Sequence, residues 1–120
     1  MDTKPFHESD TEIDLIARAM GNFWIIQKTN DENIINRISQ FAFIQLTELT
    51  SRDETLGRLV SSVIRASDRN PLMIIEDDGS INLQYDNPSD GDRITRQWIV
   101  NRNHVHILRG IFKHFIYSKP

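Results

Sequence analysis

The sequence predicts a mainly helical α+β fold, in which three helices and one β-hairpin precede a long C-terminal helix, straight or kinked, in a small bundle. Three observations support this class: apolar residues recur at helical spacing in three segments, the period falls to two over residues 72–85, and a heptad pattern follows. A chain of 120 residues, with 38% hydrophobic and 26% charged residues, has the size and composition of one globular domain. We therefore predict a disordered tail at residues 1–8 and a single helical domain at 9–120.

The three predicted helices follow one another from the start of that domain. Ser9 and Glu12 have the spacing of a capping box, which places the start of the first helix there, and its apolar stripe ends near Gln27. Cap residues at 29–31 precede a second, longer stripe, and a cap cluster at 51–53 precedes a third helix that ends near Ala66. Phe43 falls off the stripe of the second helix, so we expect its ring to be exposed.

The predicted hairpin is centred on Asp78-Gly79, a dipeptide that suits the positive φ angles of a two-residue turn. Such a turn would pair Ile74 with Leu83 and would place Leu72, Ile74, Leu83 and Tyr85 on one face of the hairpin. A two-stranded hairpin is marginal in water, so we expect it to rest on the helices or to pair with another chain.

The last predicted helix covers residues 92–117, where apolar residues are spaced alternately by four and three. Three roles remain open for this stripe: packing in the core, recognition of a partner helix, or an oligomer seam in which a polar residue fixes the register. As candidate protein-interface residues we take Phe43, Trp98, Asn101, Val105 and Leu108.

The same C-terminal segment is basic, because residues 92–120 hold six of the 14 Lys and Arg residues and only one of the 17 acidic residues. Such asymmetry is typical of a surface for nucleic acid or for an acidic partner, and it equally fits a helix that lies on its own acidic body. Helical spacing aligns four candidate phosphate-binding residues on one flank: Arg102, His106, Arg109 and Lys113.

Several classes of site are not indicated by the sequence. The chain has no cysteine, which excludes disulfides and zinc–thiolate sites and makes a cytoplasmic location the simpler expectation. His104 and His106 would point in different directions on a helix, so we predict no metal site there. We also predict no cofactor and no membrane partner.

Arg109 and His114 are the one pair with a motif-like spacing. The pattern Arg109-x4-His114 resembles the Arg-x4-6-His motif of the HEPN ribonucleases, a family of small helical proteins that often dimerise. That resemblance would imply RNA cleavage by these two residues. A chain with this many arginines and histidines is expected to contain such a match by chance, and the residue after the arginine is Gly110 where the family usually has a polar residue.

The function that the sequence favours is therefore non-enzymatic. We expect a small regulator, inhibitor or adaptor that binds another protein and self-associates as a homodimer. The alternative is a nucleic-acid-binding protein that uses the basic flank of the C-terminal helix.

Overall fold

The computed structural model describes residues 12–113, and the mainly helical α+β class is confirmed in this part of the chain. Three helices come first, a three-stranded antiparallel sheet follows, and a short helix ends the described segment. The elements are α1 (Glu12–Lys28), α2 (Glu32–Arg52), α3 (Glu54–Ala66), β1 (Leu72–Ile75), β2 (Ser80–Asp86), β3 (Arg93–Ile99), a 3₁₀ turn (Arg102–His104) and α4 (Val105–Phe112).

Two aspartates set the boundaries of the helices. The Asp31 carboxylate accepts hydrogen bonds from the backbone N–H groups of Asn33 and Ile34, at 2.9 and 3.4 Å, and so caps α2. Asp53 both ends α2 and caps α3, where its Oδ1 accepts from the Leu56 backbone N–H at 3.2 Å. The chain therefore turns from α2 into α3 through a single residue. The predicted capping box begins at Ser9, which lies outside the described residues, as does the predicted tail.

The core lies between the helices and one face of the sheet. Met20 of α1, Leu49 of α2 and Leu59 of α3 are fully buried, and Leu83 and Phe112 approach them from β2 and α4. Burial of such side chains stabilises each by about 1.5–3 kcal/mol relative to exposure. One continuous apolar cluster thus joins the helices to the sheet.

The hairpin forms in the predicted region, but its predicted register is wrong by one residue. Ile74 pairs with Asn82, and it is Met73 that pairs with Leu83. Because a slip of one residue moves every side chain to the opposite face, Met73 and Ile75 are buried where Leu72 and Ile74 were expected.

The cause of the slip is a three-residue turn. The Glu76 backbone N–H donates to the Ser80 carbonyl at 2.8 Å, and the Gly79 N–H donates to the Glu76 carbonyl at 3.1 Å. Gly79 adopts a φ of +99°. This geometry is that of a turn followed by a glycine bulge, which takes one residue more than the two-residue turn that Asp78-Gly79 suggests.

The prediction of a long C-terminal helix is wrong. Its first part, Arg93–Ile99, is β3, which pairs antiparallel with β2 so that Tyr85 lies opposite Ile94 and Ile81 opposite Trp98. The Val100 N–H then donates to the Gly79 carbonyl at 2.9 Å, and α4 begins only at Val105. Ile94 and Trp98 fit a strand as well as a helix because residues four apart share a face in both. Residues 114–117 of the predicted helix lie outside the described residues.

Candidate functional site

The five candidate interface residues lie in four different elements. Phe43 on α2 has 69% of its side chain exposed, and Trp98 on β3 is half-buried against the core. Asn101 is exposed and caps the 3₁₀ turn, where its Oδ1 accepts from the Asn103 N–H at 2.9 Å. Val105 and Leu108 of α4 are buried in this chain's own core. A single seam through the last four residues therefore does not form.

The four candidate phosphate-binding residues also differ in their surroundings. Arg102, His106 and Lys113 are exposed. Arg109 is largely buried, and its Nη2 lies 2.7 Å from the Asp77 carboxylate and donates to the Ile75 carbonyl at 2.8 Å. This arginine therefore ties α4 to its own acidic hairpin turn. His114, the second residue of the Arg-x4-His pattern, lies outside the described residues.

A second basic residue of the C-terminal segment also binds its own chain. Arg93 Nη1 lies 2.9 Å from the Asp86 carboxylate and donates to the Asn70 carbonyl at 2.6 Å. Part of the charge asymmetry in the sequence is thus used inside the fold, and the cations that remain for a ligand are fewer than the composition suggests.

Three of the six large apolar side chains that are exposed in the described chain belong to α2. Phe41, Phe43 and Ile44 are 57%, 69% and 59% exposed. At about 100° per residue, Phe41 and Ile44 lie about 60° apart on one face, whereas Phe43 points to a different side. Arg37 and Glu48 lie on the same face as Phe41 and Ile44, one at each end. We call these four residues the α2 face.

Beside Phe41 the α2 face has a shallow hollow of about 390 Å³, lined by Ile34, Arg37, Ile38 and Phe41. Its walls are mostly aliphatic and aromatic. A hollow of this size can receive one apolar side chain from another molecule.

β3 forms an open edge of the sheet, because the strand order is β1-β2-β3 and no further strand of the described residues pairs with it. The Val100 N–H donates to the Gly79 carbonyl, and the Asn87 N–H donates to the Asp92 carbonyl at 2.7 Å. These two bonds lie at the two ends of the β2–β3 ladder, and between them hydrogen-bonded residue pairs alternate with pairs that are not hydrogen-bonded. The backbone N–H and C=O groups of alternate residues point away from β2. They belong to Arg93, Thr95, Gln97 and Ile99.

A polar groove of about 520 Å³ runs between this edge and α3. Arg58 is paired with Glu54, four residues earlier on the same helix. Arg65 and Arg96 form no hydrogen bond or ion pair with any described residue. The side chains that define this arginine groove are Glu54, Arg58, Ser62, Arg65, Arg96 and Trp98.

Sequence reasoning missed the arginine groove. Arg58 and Arg65 are seven residues apart, which puts them on one face of α3 opposite its apolar stripe, and this signal was readable. Arg96 could be added only once residues 93–99 were known to form a strand beside α3.

Other kinds of site are not found in the described part of the chain. No group of three or more His, Asp or Glu side chains there could hold a metal ion. No helix within residues 12–113 is long and apolar enough to cross a membrane. No protein-family model matches the sequence, and neither a curated protein nor a solved structure shows significant similarity to it.

Proposed function

We propose that this protein is a non-enzymatic interaction protein, a small regulator, inhibitor or adaptor of the cytoplasm, that self-associates through the α2 face and binds another protein. The observation that carries the proposal is the pair of adjacent apolar side chains, Phe41 and Ile44, each more than half exposed on a helix that the core covers on one side. Exposed apolar groups of this size favour association, because burying them removes apolar surface from water.

The α2 face is complementary to itself. A two-fold axis that passes α2 between residues 42 and 43 places Phe41 of one protomer opposite Ile44 of its partner. The same axis places Arg37 of one protomer opposite Glu48 of its partner, so opposite charges meet at both ends of the contact. Two-fold pairing of one surface with its own copy is the commonest symmetry of soluble oligomers.

The shape of the face supports the same arrangement. The hollow beside Phe41 lies where the Ile44 side chain of the second protomer arrives, and aliphatic walls suit that side chain. Arg37 has no hydrogen-bond or ion-pair partner among the described residues. The Glu48 carboxylate lies 3.6 Å from Arg52 Nε of its own helix, so in the proposed dimer it would be shared between Arg52 and the second protomer's Arg37. The apolar pair at the centre supplies affinity, and the flanking charges fix the antiparallel direction.

Sedimentation equilibrium over a range of protein concentrations tests this pairing. The unchanged protein is expected to dimerise, and Ile44→Glu is expected to weaken the dimer at least about tenfold because it moves an unpaired carboxylate into an apolar contact. Phe43→Glu is the matched control, since it replaces a more exposed apolar residue of the same helix outside the α2 face.

A charge swap tests the direction of the two helices. Arg37→Glu and Glu48→Arg are each expected to weaken the dimer, because like charges then meet at both ends. The double variant restores opposite charges and is expected to recover the affinity, a coupling that a double-mutant cycle measures. A monomer at every concentration, or single variants that dimerise as well as the unchanged protein, would contradict the proposal.

Nucleic-acid binding is the second candidate function, favoured by the exposure of Arg102, His106 and Lys113. Arg109 adds little to it, because Asp77 already binds its guanidinium. Fluorescence anisotropy with labelled DNA and RNA at about 50 and 200 mM salt tests it, since phosphate contacts give a steep salt dependence. Arg102→Glu is expected to reduce both the affinity and its salt dependence if this candidate is correct.

A further inference from the structure

We propose that the open edge of β3 and the adjacent arginine groove bind an extended acidic segment of another protein, which adds to the sheet as a fourth strand. This inference rests on the proposed function, because it names the chemistry of the bound protein. It does not require the dimer at the α2 face, so the two can fail separately.

The first argument is the hydrogen-bonding capacity of the edge. Along its seven residues, β3 directs the N–H and C=O groups of four alternate residues away from β2. An extended peptide offers groups of the same kind at the same repeat, so main-chain pairing supplies affinity that is independent of the peptide sequence. The edge therefore selects an extended conformation.

The second argument is the charge beside the edge. The arginine groove contains three arginines and one glutamate, and Arg65 and Arg96 have no partner among the described residues. Arg96 lies on the helix-facing side of β3, opposite Leu83. Because side chains alternate in direction along a strand, every second residue of an added strand would point toward the groove. Glutamate or aspartate at those positions would meet Arg65 and Arg96.

The same charge argues against a second copy of this chain at the edge. Two β3 strands paired antiparallel about Arg96 would place the Arg96 side chains of both copies on facing strands, where like charges are destabilising. Charged residues on an edge strand commonly prevent such self-pairing. The charge beside the edge thus disfavours pairing of β3 with a second β3, while it attracts an acidic strand.

A peptide also fits the site better than a nucleic acid does. Trp98 packs against the core rather than presenting a free ring for base stacking. Nucleic acid would leave the backbone groups of the β3 edge without partners. Binding of nucleic acid is therefore an outcome of the test, not part of the proposal.

The probe is an acetylated and amidated peptide of seven residues, Glu-Thr-Glu-Thr-Glu-Thr-Glu, which matches the length of β3. The protein carries Trp24→Phe, so that Trp98 at the groove is its one tryptophan and reports binding by fluorescence. A peptide with lysine in place of glutamate is the control for charge. We expect saturable binding of the glutamate peptide, weakened at 200 mM relative to 50 mM salt, and none of the lysine peptide.

Two protein variants separate the edge from the groove. Thr95→Pro removes an outward-pointing N–H and leaves the ladder to β2 intact, as proline does on edge strands. It is expected to abolish binding, whereas Thr95→Ala should bind as the parent protein does. Arg65→Glu combined with Arg96→Glu is expected to weaken binding about tenfold, because two attractions become repulsions. Circular dichroism before titration confirms that each variant is folded.

Three results would overturn the proposal. They are a glutamate peptide that does not bind at 50 mM salt, a Thr95→Pro variant that binds it unchanged, and an oligothymidylate of ten nucleotides that binds the arginine groove more tightly than the peptide does. Sedimentation of the same samples distinguishes the outcomes. If the protein dimerises but does not bind the peptide, the proposed function stands and only this inference is overturned.

Discussion

Replacing Gly79 with alanine is expected to lower the free energy of unfolding by about 2–3 kcal/mol, because two separate costs add. Gly79 has a φ of +99°, and a side chain in that region costs about 1–2 kcal/mol. A Cβ atom there would lie 2.3 Å from the Val100 carbonyl oxygen, so the backbone must shift. The shift breaks the Val100 N–H to Gly79 C=O bond of 2.9 Å, which contributes about 1 kcal/mol.

Gly91 provides the matched control for this substitution. Its φ is +79°, but a Cβ atom added there would meet nothing within 4 Å. Gly91→Ala therefore carries the backbone cost alone, about 1–2 kcal/mol. The difference between the two variants isolates the contact that joins the hairpin turn to the end of β3.

Urea unfolding followed by circular dichroism measures both values, provided that the dependence on urea concentration is the same for each variant. A loss of about 2–3 kcal/mol is a large share of the roughly 5–15 kcal/mol that stabilises a typical domain. Equal losses for Gly79→Ala and Gly91→Ala would refute the reasoning, because the close approach of Val100 would then carry no cost.

Three further predictions concern a glycine in α3, a glycine in α1 and the hairpin turn. Gly57→Ala is expected to destabilise the protein by about 1–2 kcal/mol, because the added Cβ would lie 2.9 Å from the Thr50 backbone. At Gly21 an added Cβ would have no atom within 4 Å, so Gly21→Ala should stabilise the protein by about 1 kcal/mol in the same urea assay. The Ser80 backbone N–H holds the pKa of Asp78 below its usual value, so this stabilisation is present above about pH 4 and is lost as the pH falls through the lowered pKa. Asp78→Asn should therefore show a smaller loss of stability on acidification, and an unchanged acid titration would contradict the assignment.

The first three helices and the position of the hairpin could be predicted because their signals are local. Asp31 and Asp53 cap α2 and α3 with their own side chains, and each apolar stripe lies within one segment. A cap and a stripe act within a few residues of the chain, so neither depends on which other element packs nearby. Phe43, off the stripe of its helix, was readable as an exposed residue for the same reason.

β3 could not be predicted in this way, because its conformation depends on β2. Ile94 and Trp98 are compatible with either a helix or a strand, and the choice is decided by backbone pairing with Tyr85 and Ile81. Asn101 lies between β3 and α4 and caps the 3₁₀ turn, although it fitted the heptad pattern. The arginine groove was missed in consequence, since it exists only where a strand brings Arg96 beside α3.

The two proposed surfaces use different forces, and this difference determines how they would work together. The proposed dimer would join two copies at the α2 face mainly by apolar burial, which salt hardly weakens, whereas the arginine groove would attract the proposed ligand by charge, which salt screens. Each copy would contribute one groove, so the proposed dimer would carry two. A partner with two acidic segments on a linker of suitable length would then bind the second groove intramolecularly, and its affinity would rise without any new contact. A partner with one segment would gain nothing from the dimer, so dimerisation would select for partners with repeated acidic segments.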